Sequence, residues 1–273
     1  MLVRDQLPLV VSVPDHDDDA LLRFAARQAL LRGCPVRLLH AGRGERAAGV
    51  VASAVTRTEA LAGPGVMVTG AVVSGPPVAA VLRARGECQG LVVRHRDVLR
   101  LQREIGEVAG AVADTVVTCV PTTWAAVPDD DRPVLVGVDD AATAGAAITH
   151  GLELARLHDT SLRVVHAWWL PRQHGAMVDP RIGDHWSELV RSSLAAVVDR
   201  CRSGALARVP VEIVVEHGVS ADRVVAGGRA AQALVLQRNR GHEGPEHVGR
   251  TTRAALHECP CPVVLLPHGP TPE

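Results

Sequence analysis

The residues in this chain best suited to chemistry lie between Leu234 and Leu266, LVLQRNRGHEGPEHVGRTTRAALHECPCPVVLL. Leu234–Leu236 is a short apolar run of the kind that makes a buried strand. A basic loop follows with Arg238, Arg240, Gly241, Gly244 and Gly249, and Arg250–His257 then reads as a helix stopped by Cys259, Pro260 and Pro262. Val263–Leu266 is a second apolar strand. A strand, a glycine loop and a helix N-terminus can together hold an anion. Glycines let backbone N–H groups come close to it, and the first helical turn points its free N–H groups at it. Arg250 and Arg253 add charge there, and Thr251 and Thr252 add hydroxyls. The same glycines would serve a plain surface turn, so spacing alone leaves both readings open.

The chain around this stretch has 273 residues, enough for two domains with a core each. It is 47% hydrophobic and 22% charged, a globular composition. A formal net charge of −1, with no Tyr and one Phe, argues against a nucleic-acid partner, which needs basic surface and stacking platforms. No apolar run reaches the roughly 20 residues of a membrane span. The first residues, MLVRDQLPLVVSVPDHDDD, lack a signal-peptide layout. The expectation is a cytoplasmic protein with no membrane partner. Cys34, Cys88, Cys119 and Cys201 stand singly, and Cys259 and Cys261 form C-P-C, so no zinc or thioredoxin-like spacing exists. Free, mostly buried thiols are expected. His16 lies among Asp15, Asp17, Asp18 and Asp19, which reads as an acid-rich helix start rather than a metal site; no metal is predicted.

The elements that must position the loop follow in order. Leu9–Val13 is a strand ending at Pro14, Asp17–Leu31 a helix, Val36–His40 a strand, Glu45–Leu61 a helix and Val66–Val73 a strand. Pro76–Arg85 is helical, Leu91–Val93 a strand, Ile105–Val116 a helix and Thr122–Ala126 a closing strand. The polar segment Pro128–Pro133 then links to a second series. It runs Val134–Val138, helix Ala141–Leu157, Leu162–His166, helix Trp186–Cys201, Val211–Val215, helix Ala221–Ala231, Leu234–Leu236, helix Arg250–His257 and Val263–Leu266. Alternation of strands and helices implies parallel sheets covered on both faces.

The second series repeats the first. VVSV at Val10–Val13 matches LVGV at Leu135–Val138, and LLHA at Leu38–Ala41 matches VVHA at Val164–Ala167. Gly75 precedes Leu91, and Gly218 precedes Leu234, by the same 16 residues; Gly106 and Gly249 follow those glycines by 31. The halves part only around Trp168–Trp186, where the second carries about 17 extra residues. The composition of Leu170–Asp184, with Pro171, Gly175, Pro180 and Gly183, predicts a loop there.

PVLVGVDD at Pro133–Asp140, RVVHAW at Arg163–Trp168, the glycine loop and GRTTRAALHECPCPVVLLP at Gly249–Pro267 resemble the universal stress protein family. The resemblance implies an α/β chain of two repeated open five-stranded parallel-sheet domains of the adenine-nucleotide-binding kind. Residues 1–128 would form a degenerate domain and residues 129–273 a domain with a nucleotide site. It also implies pairing of the two domains as an intra-chain pseudo-dimer through their last strands, with a homodimer as the other form. Family members that bind ATP carry an Asp after the first strand and a Gly-x2-Gly-x9-Gly-Ser/Thr pattern. Carried over, Asp139 holds the Asp position and Ala167 the second-strand position beside the base. Arg238, Gly241, Gly249 and Arg250 hold the loop positions, Thr251 follows, and seven rather than nine residues lie between the second and third positions. Arg238 and Arg250 either supply charge where the family uses backbone and hydroxyl groups, or fill the site themselves. In the first half Pro14 replaces the Asp, and His95, Val98, Gly106 and Glu107 hold the loop positions. An acid beside a phosphate repels it, so no nucleotide site is expected there.

The resulting expectation is a non-catalytic stress-response regulator whose ligand is ATP or another adenine nucleotide. One alternative is an interaction module that has lost both sites and meets an unknown protein partner through Trp168–Trp186; the same tryptophans would equally pack on their own domain. The other is an enzyme acting on an adenine nucleotide, although no G-x-S-x-G or G-x-x-x-x-G-K-[ST] motif is present.

Overall fold

Each half opens on a strand with no polar face: β1 (Leu9–Val13, LVVSV) and β6 (Val134–Val138, VLVGV). A strand without alternation needs cover on both sides, as in a parallel sheet between helix layers. The computed structural model describes residues 7–15, 18–75, 84–95, 115–127, 130–169, 180–238 and 249–267. It divides into two compact units, one centred on Met1–Pro128 and the other on Asp129–Arg238 with Gly249–Val263.

In the first unit β1 is followed by α1 (Asp19–Arg32), β2 (Val36–Ala41), α2 (Gly44–Ala62), β3 (Val68–Val73), β4 (Gly90–Arg94) and β5 (Val117–Val120). The strands run parallel in the order β3-β2-β1-β4-β5. Helix α1 starts where the Asp18 carboxylate accepts the Leu21 N–H at 3.0 Å, which satisfies one of the orphan donors of the first turn. Its Leu21, Phe24 and Ala25 are buried against Val11, Val13, Val36 and Leu38 of the sheet.

In the second unit β6 is followed by α3 (Gly145–Leu157), β7 (Leu162–Trp168), α4 (Pro180–Cys201), β8 (Val211–His217), α5 (Ser220–Gly228), β9 (Ala233–Gln237) and α6 (Arg250–Glu258); the chain then ends its regular structure in β10 (Val263–Leu266). The order is β8-β7-β6-β9, the pairs being parallel. Pro262, which leads into β10, accepts the Leu234 N–H at 2.9 Å. The segment before β6 is tied down rather than loose. Arg132 grips Asp130 through Nε and Nη2 at 2.7 Å, and Thr160 donates to the Arg132 carbonyl at 2.9 Å.

Several expected elements are corrected. The first unit's closing strand is Val117–Val120, not Thr122–Ala126. Pro121 ends it, the Trp124 N–H turns back to the Pro121 carbonyl at 3.0 Å, and the Trp124 ring meets Phe24 edge-on at 5.3 Å. Burying that indole on α1 outweighs extending a strand. Val116, expected in a helix, instead accepts the Leu91 N–H at 2.9 Å through its carbonyl. The helix expected from Ala141 starts at Gly145, because Asp140 accepts the Ala142 N–H at 2.9 Å and holds residues 141–144 in a turn. Helix α4 begins at Pro180, so the last part of the expected Leu170–Asp184 loop is helical. Proline suits a first helical position, where its missing N–H costs nothing. Residues 170–179, most of the expected helix Pro76–Arg85 and nearly all of Ile105–Val116 lie outside the described residues; Arg85 itself opens a short 3-10 turn, Arg85–Glu87.

The repeat extends to the helix ends. Gly33 (φ 63°) and Asp159 (φ 52°) each stand three residues before the next strand. The following residues close the same bond: Cys34 N–H to Ala29 carbonyl at 3.1 Å and Thr160 N–H to Ala155 carbonyl at 2.9 Å. This is a Schellman ending whose left-handed residue favours glycine. Asp159→Gly is therefore expected to raise unfolding stability by about 0.5–1 kcal/mol, and Gly33→Ala to lower it by about 1 kcal/mol, in denaturant titrations. All six cysteines are free, four of them buried. Burial pushes the Cys88 thiol up to about 11, aided by the nearby Glu87. Since the thiolate is the reactive form, iodoacetamide should label Cys88 at pH 9 at least about tenfold more slowly than a free thiol, read by peptide mass.

Candidate functional site

From β6 the chain moves to β7 and β8 on one side, then returns to β9 on the other. Such a reversal leaves a crevice outside the carboxyl ends of the strands, where the flanking connections leave in opposite directions. Val138 pairs with His166, and Gly137 with Leu236. Continuing both registers brings Asp139 level with Ala167 on one side and Arg238 on the other. Three of the residues expected from the sequence thus stand at one height: Asp139 and Arg238 just past the ends of β6 and β9, and Ala167 one residue before the end of β7. Asp139 is exposed, and Ala167 and Arg238 are half-buried. The Ala167 carbonyl accepts a hydrogen bond from Ser220 at 3.2 Å and keeps a second lone pair.

Gly249, Arg250 and Thr251 form the start of α6, on the chain leaving β9. Gly249 is the N-cap, and its carbonyl accepts the Arg253 N–H at 3.0 Å, the first bond of the helix. The N–H groups of residues 250–252 therefore have no intrahelical acceptor. No acid stands in the first turn; Arg250 opens it and Arg253 follows one turn on. Two cations at the positive end of a helix are unfavourable by themselves and become favourable beside an anion. Gly249 has φ −57°, and a Cβ there would meet nothing within 4 Å. Neither backbone conformation nor any described atom demands glycine at this position. Gly241 lies outside the described residues. Among the described residues no group of three or more His, Cys, Asp or Glu could hold a metal ion.

Sequence reasoning missed His166. Its Nδ1–H donates to the Val138 carbonyl at 3.1 Å, and His40 does the same to Val13 at 3.0 Å in the first unit. Each ring ties down the carbonyl just before the strand-end position held by Asp139 or Pro14. The matched LLHA and VVHA segments carried that signal. In the first unit the level of Arg238 is taken by His95, which is buried, and Arg94 beside it is turned to Asp18, Nε to Oδ2 3.7 Å. Val98, Gly106 and Glu107 lie outside the described residues.

Residues 132–267 match the Universal stress protein family. Through that stretch the chain belongs to the universal stress protein family. Universal stress proteins of Mycobacterium tuberculosis and Mycobacterium bovis are 26% identical over 182 residues, 60% of this chain and 56% of theirs. The match thus spans little more than half the length of these relatives. A universal stress protein structure from Archaeoglobus fulgidus superposes with a TM-score of 0.64 at 15% identity, covering 97% of this chain and 98% of that one. A functionally unknown protein from Pseudomonas aeruginosa gives 0.66 at 16%, covering 96% and 93%. Both likenesses extend over the two halves and establish the α/β universal stress protein fold for nearly the whole chain. No described helix is long and apolar enough to cross a membrane.

In this universal stress protein, Gly249→Val should lower the unfolding free energy by no more than about 1 kcal/mol, the loss of exchanging glycine for valine at an N-cap, because the added side chain itself enters open space. A larger loss in thermal or denaturant unfolding would mean that the glycine serves the fold.

Proposed function

We infer that the second unit binds an adenine nucleotide, ATP being the leading ligand, and that the protein is a non-catalytic stress-response regulator. The observation that carries this reading is the paired register that sets Asp139, Ala167 and Arg238 level beside the strand reversal. The acid-free, arginine-bearing start of α6 supports it. Asp139 accepts from a ribose hydroxyl or the base amino group. Ala167 offers its backbone to the adenine. Gly241 and Gly249 let the loop close on the phosphates, and Arg238, Arg250, the Thr251 hydroxyl and the free N–H groups of α6 receive their charge. The first unit, with Pro14 in place of the acid and Arg94 committed to Asp18, takes no nucleotide.

The test is calorimetric titration of the full chain with ATP. Binding should be lost in Asp139→Ala and Gly249→Val, the latter because the new side chain occupies the space of the phosphates. Thr251→Ala deletes one hydroxyl and should cost about 1 kcal/mol, or roughly fivefold in affinity. ATP should be recovered unhydrolysed. Binding indifferent to both Asp139→Ala and Gly249→Val would remove the site, and turnover would remove the non-catalytic role.

An interaction role draws on a separate observation. Trp169 and Trp186 are 54% and 52% exposed, and Leu189 stands one turn beyond Trp186. Trp168 is instead held in its own unit, donating to Ser187 at 3.0 Å and lying on the His217 ring at 4.6 Å. If Trp169 and Trp186 anchor a protein partner, Trp169→Ser with Trp186→Ser should abolish its co-purification while leaving ATP binding intact.

A further inference from the structure

We propose that the first unit carries a binding site of opposite charge preference, a pocket for a small organic cation such as an alkylammonium or amidinium. It stands in the other unit from the nucleotide reading and does not rest on it. A cavity of about 240 Å³, with room for on the order of eight waters, opens past the end of β1 between α1 and α2. Val13, Leu22, Val50 and Ala54 supply apolar wall, and Asp18 and Asp15 supply carboxylates.

Asp18 is the decisive group. Its side chain is only 6% exposed. Oδ1 caps α1 through the Leu21 N–H, but Oδ2 is buried without a hydrogen bond. The nearest cation among the described residues, Arg94 Nε, stands 3.7 Å away, too far for one. A buried carboxylate oxygen with no donor is costly, and a ligand that brings an N–H removes that cost. Asp15 at the rim is 82% exposed on its side chain and lies 3.6 Å from His40 Nε2. His40 Nδ1–H is committed to the Val13 carbonyl, so the ring offers the pocket no second neutral donor. An anion entering here would meet two carboxylates. A neutral apolar molecule would leave Oδ2 as it is. A cation with a short hydrocarbon body satisfies Oδ2 by a charge-assisted bond and covers Leu22 and Val50.

The second unit has no acid at the matching place. Thr143 stands at the position equivalent to Asp18, and Gln237 at that of Arg94. The acid sits at the strand end there, as Asp139, and at the helix cap here, as Asp18. This exchange is what changes the ligand class.

Titrate the full chain with benzamidinium and with butylammonium, using benzoate and ATP as anionic controls, and follow the Leu21 amide by two-dimensional NMR. At least one cation should bind with a dissociation constant near or below about 1 mM and shift that amide, while benzoate does neither. Asp18→Asn keeps a capping oxygen but loses the charge, and should weaken the cation at least about tenfold. Because that substitution also unpairs Arg94, Gly49→Leu provides a second arm. Gly49 lines the cavity, a Cβ there meets nothing within 4 Å, and leucine is a good helix former. Gly49→Leu should keep or raise the melting temperature and abolish cation binding without altering any ATP binding. No cation binding in the wild type, equal binding of benzoate, or full cation binding in a folded Gly49→Leu protein would each overturn the proposal.

Discussion

Two parallel strands cannot be joined by a tight turn, so the chain must cross back over the sheet before it can pair again. Each unit does this through helices laid on its faces. That single constraint fixes most of what matters. Every strand ends at the same edge, every helix that follows begins near it, and the strands between the helix layers lose their polar face. Where the order reverses, beside β1 and beside β6, the edge splits into a crevice. The strand-end histidines, His40 and His166, hold the carbonyls of Val13 and Val138 at that point, so the residue that follows is presented from a fixed position.

The two units place different groups at the same edge. In the second, an exposed Asp139 faces the level of Arg238, and the helix after β9 begins with arginine and no acid. In the first, a proline ends β1, and the acid has moved inward to cap α1. There Asp18 is buried with Arg94 as its neighbour. A buried charge pair of this kind contributes little net stability, yet removing one partner strands the other at a cost of about 3–5 kcal/mol. By contrast the exposed pairs Arg23–Asp19 and Arg191–Glu188 are worth about 1 kcal/mol or less. Of these three pairs the interior one is the costly one to break.

The paired cysteines at the end of α6 follow the same logic of burial. Cys261 donates to Cys259, which lowers the Cys259 thiol and raises that of Cys261 well above its ordinary value, with burial adding to the latter. Gly228 of α5 lies against them, where a Cβ would come within 2.6 Å of the Cys259 sulfur. The C-P-C segment thus packs α6 onto α5 on the way into β10, and its spacing reads as structural once that contact is known.

Local pattern in the sequence was enough to read the repeat, the alternation of strands and helices, and where β6, β7 and β9 lie; their register is what sets Asp139, Ala167 and Arg238 at one level. Strand β10 falls on Val263–Leu266 as expected, because an apolar run bounded by prolines has one reading at short range. The glycine-to-glycine spacings carried the match between halves. Tertiary structure decided the rest. Whether Thr122–Ala126 or Val117–Val120 closes the first sheet depends on Trp124 finding Phe24 on a distant helix. Where α4 begins depends on a proline that serves equally well in a loop or at a first helical turn. That Asp18 caps a helix was within reach of the acid-rich Asp15–Asp19 run. That its second oxygen would be buried beside Arg94 with no donor was not. Capping is a matter of neighbours three residues apart, whereas burial and pairing are set by which strand ends up beside which, and no local pattern encodes that.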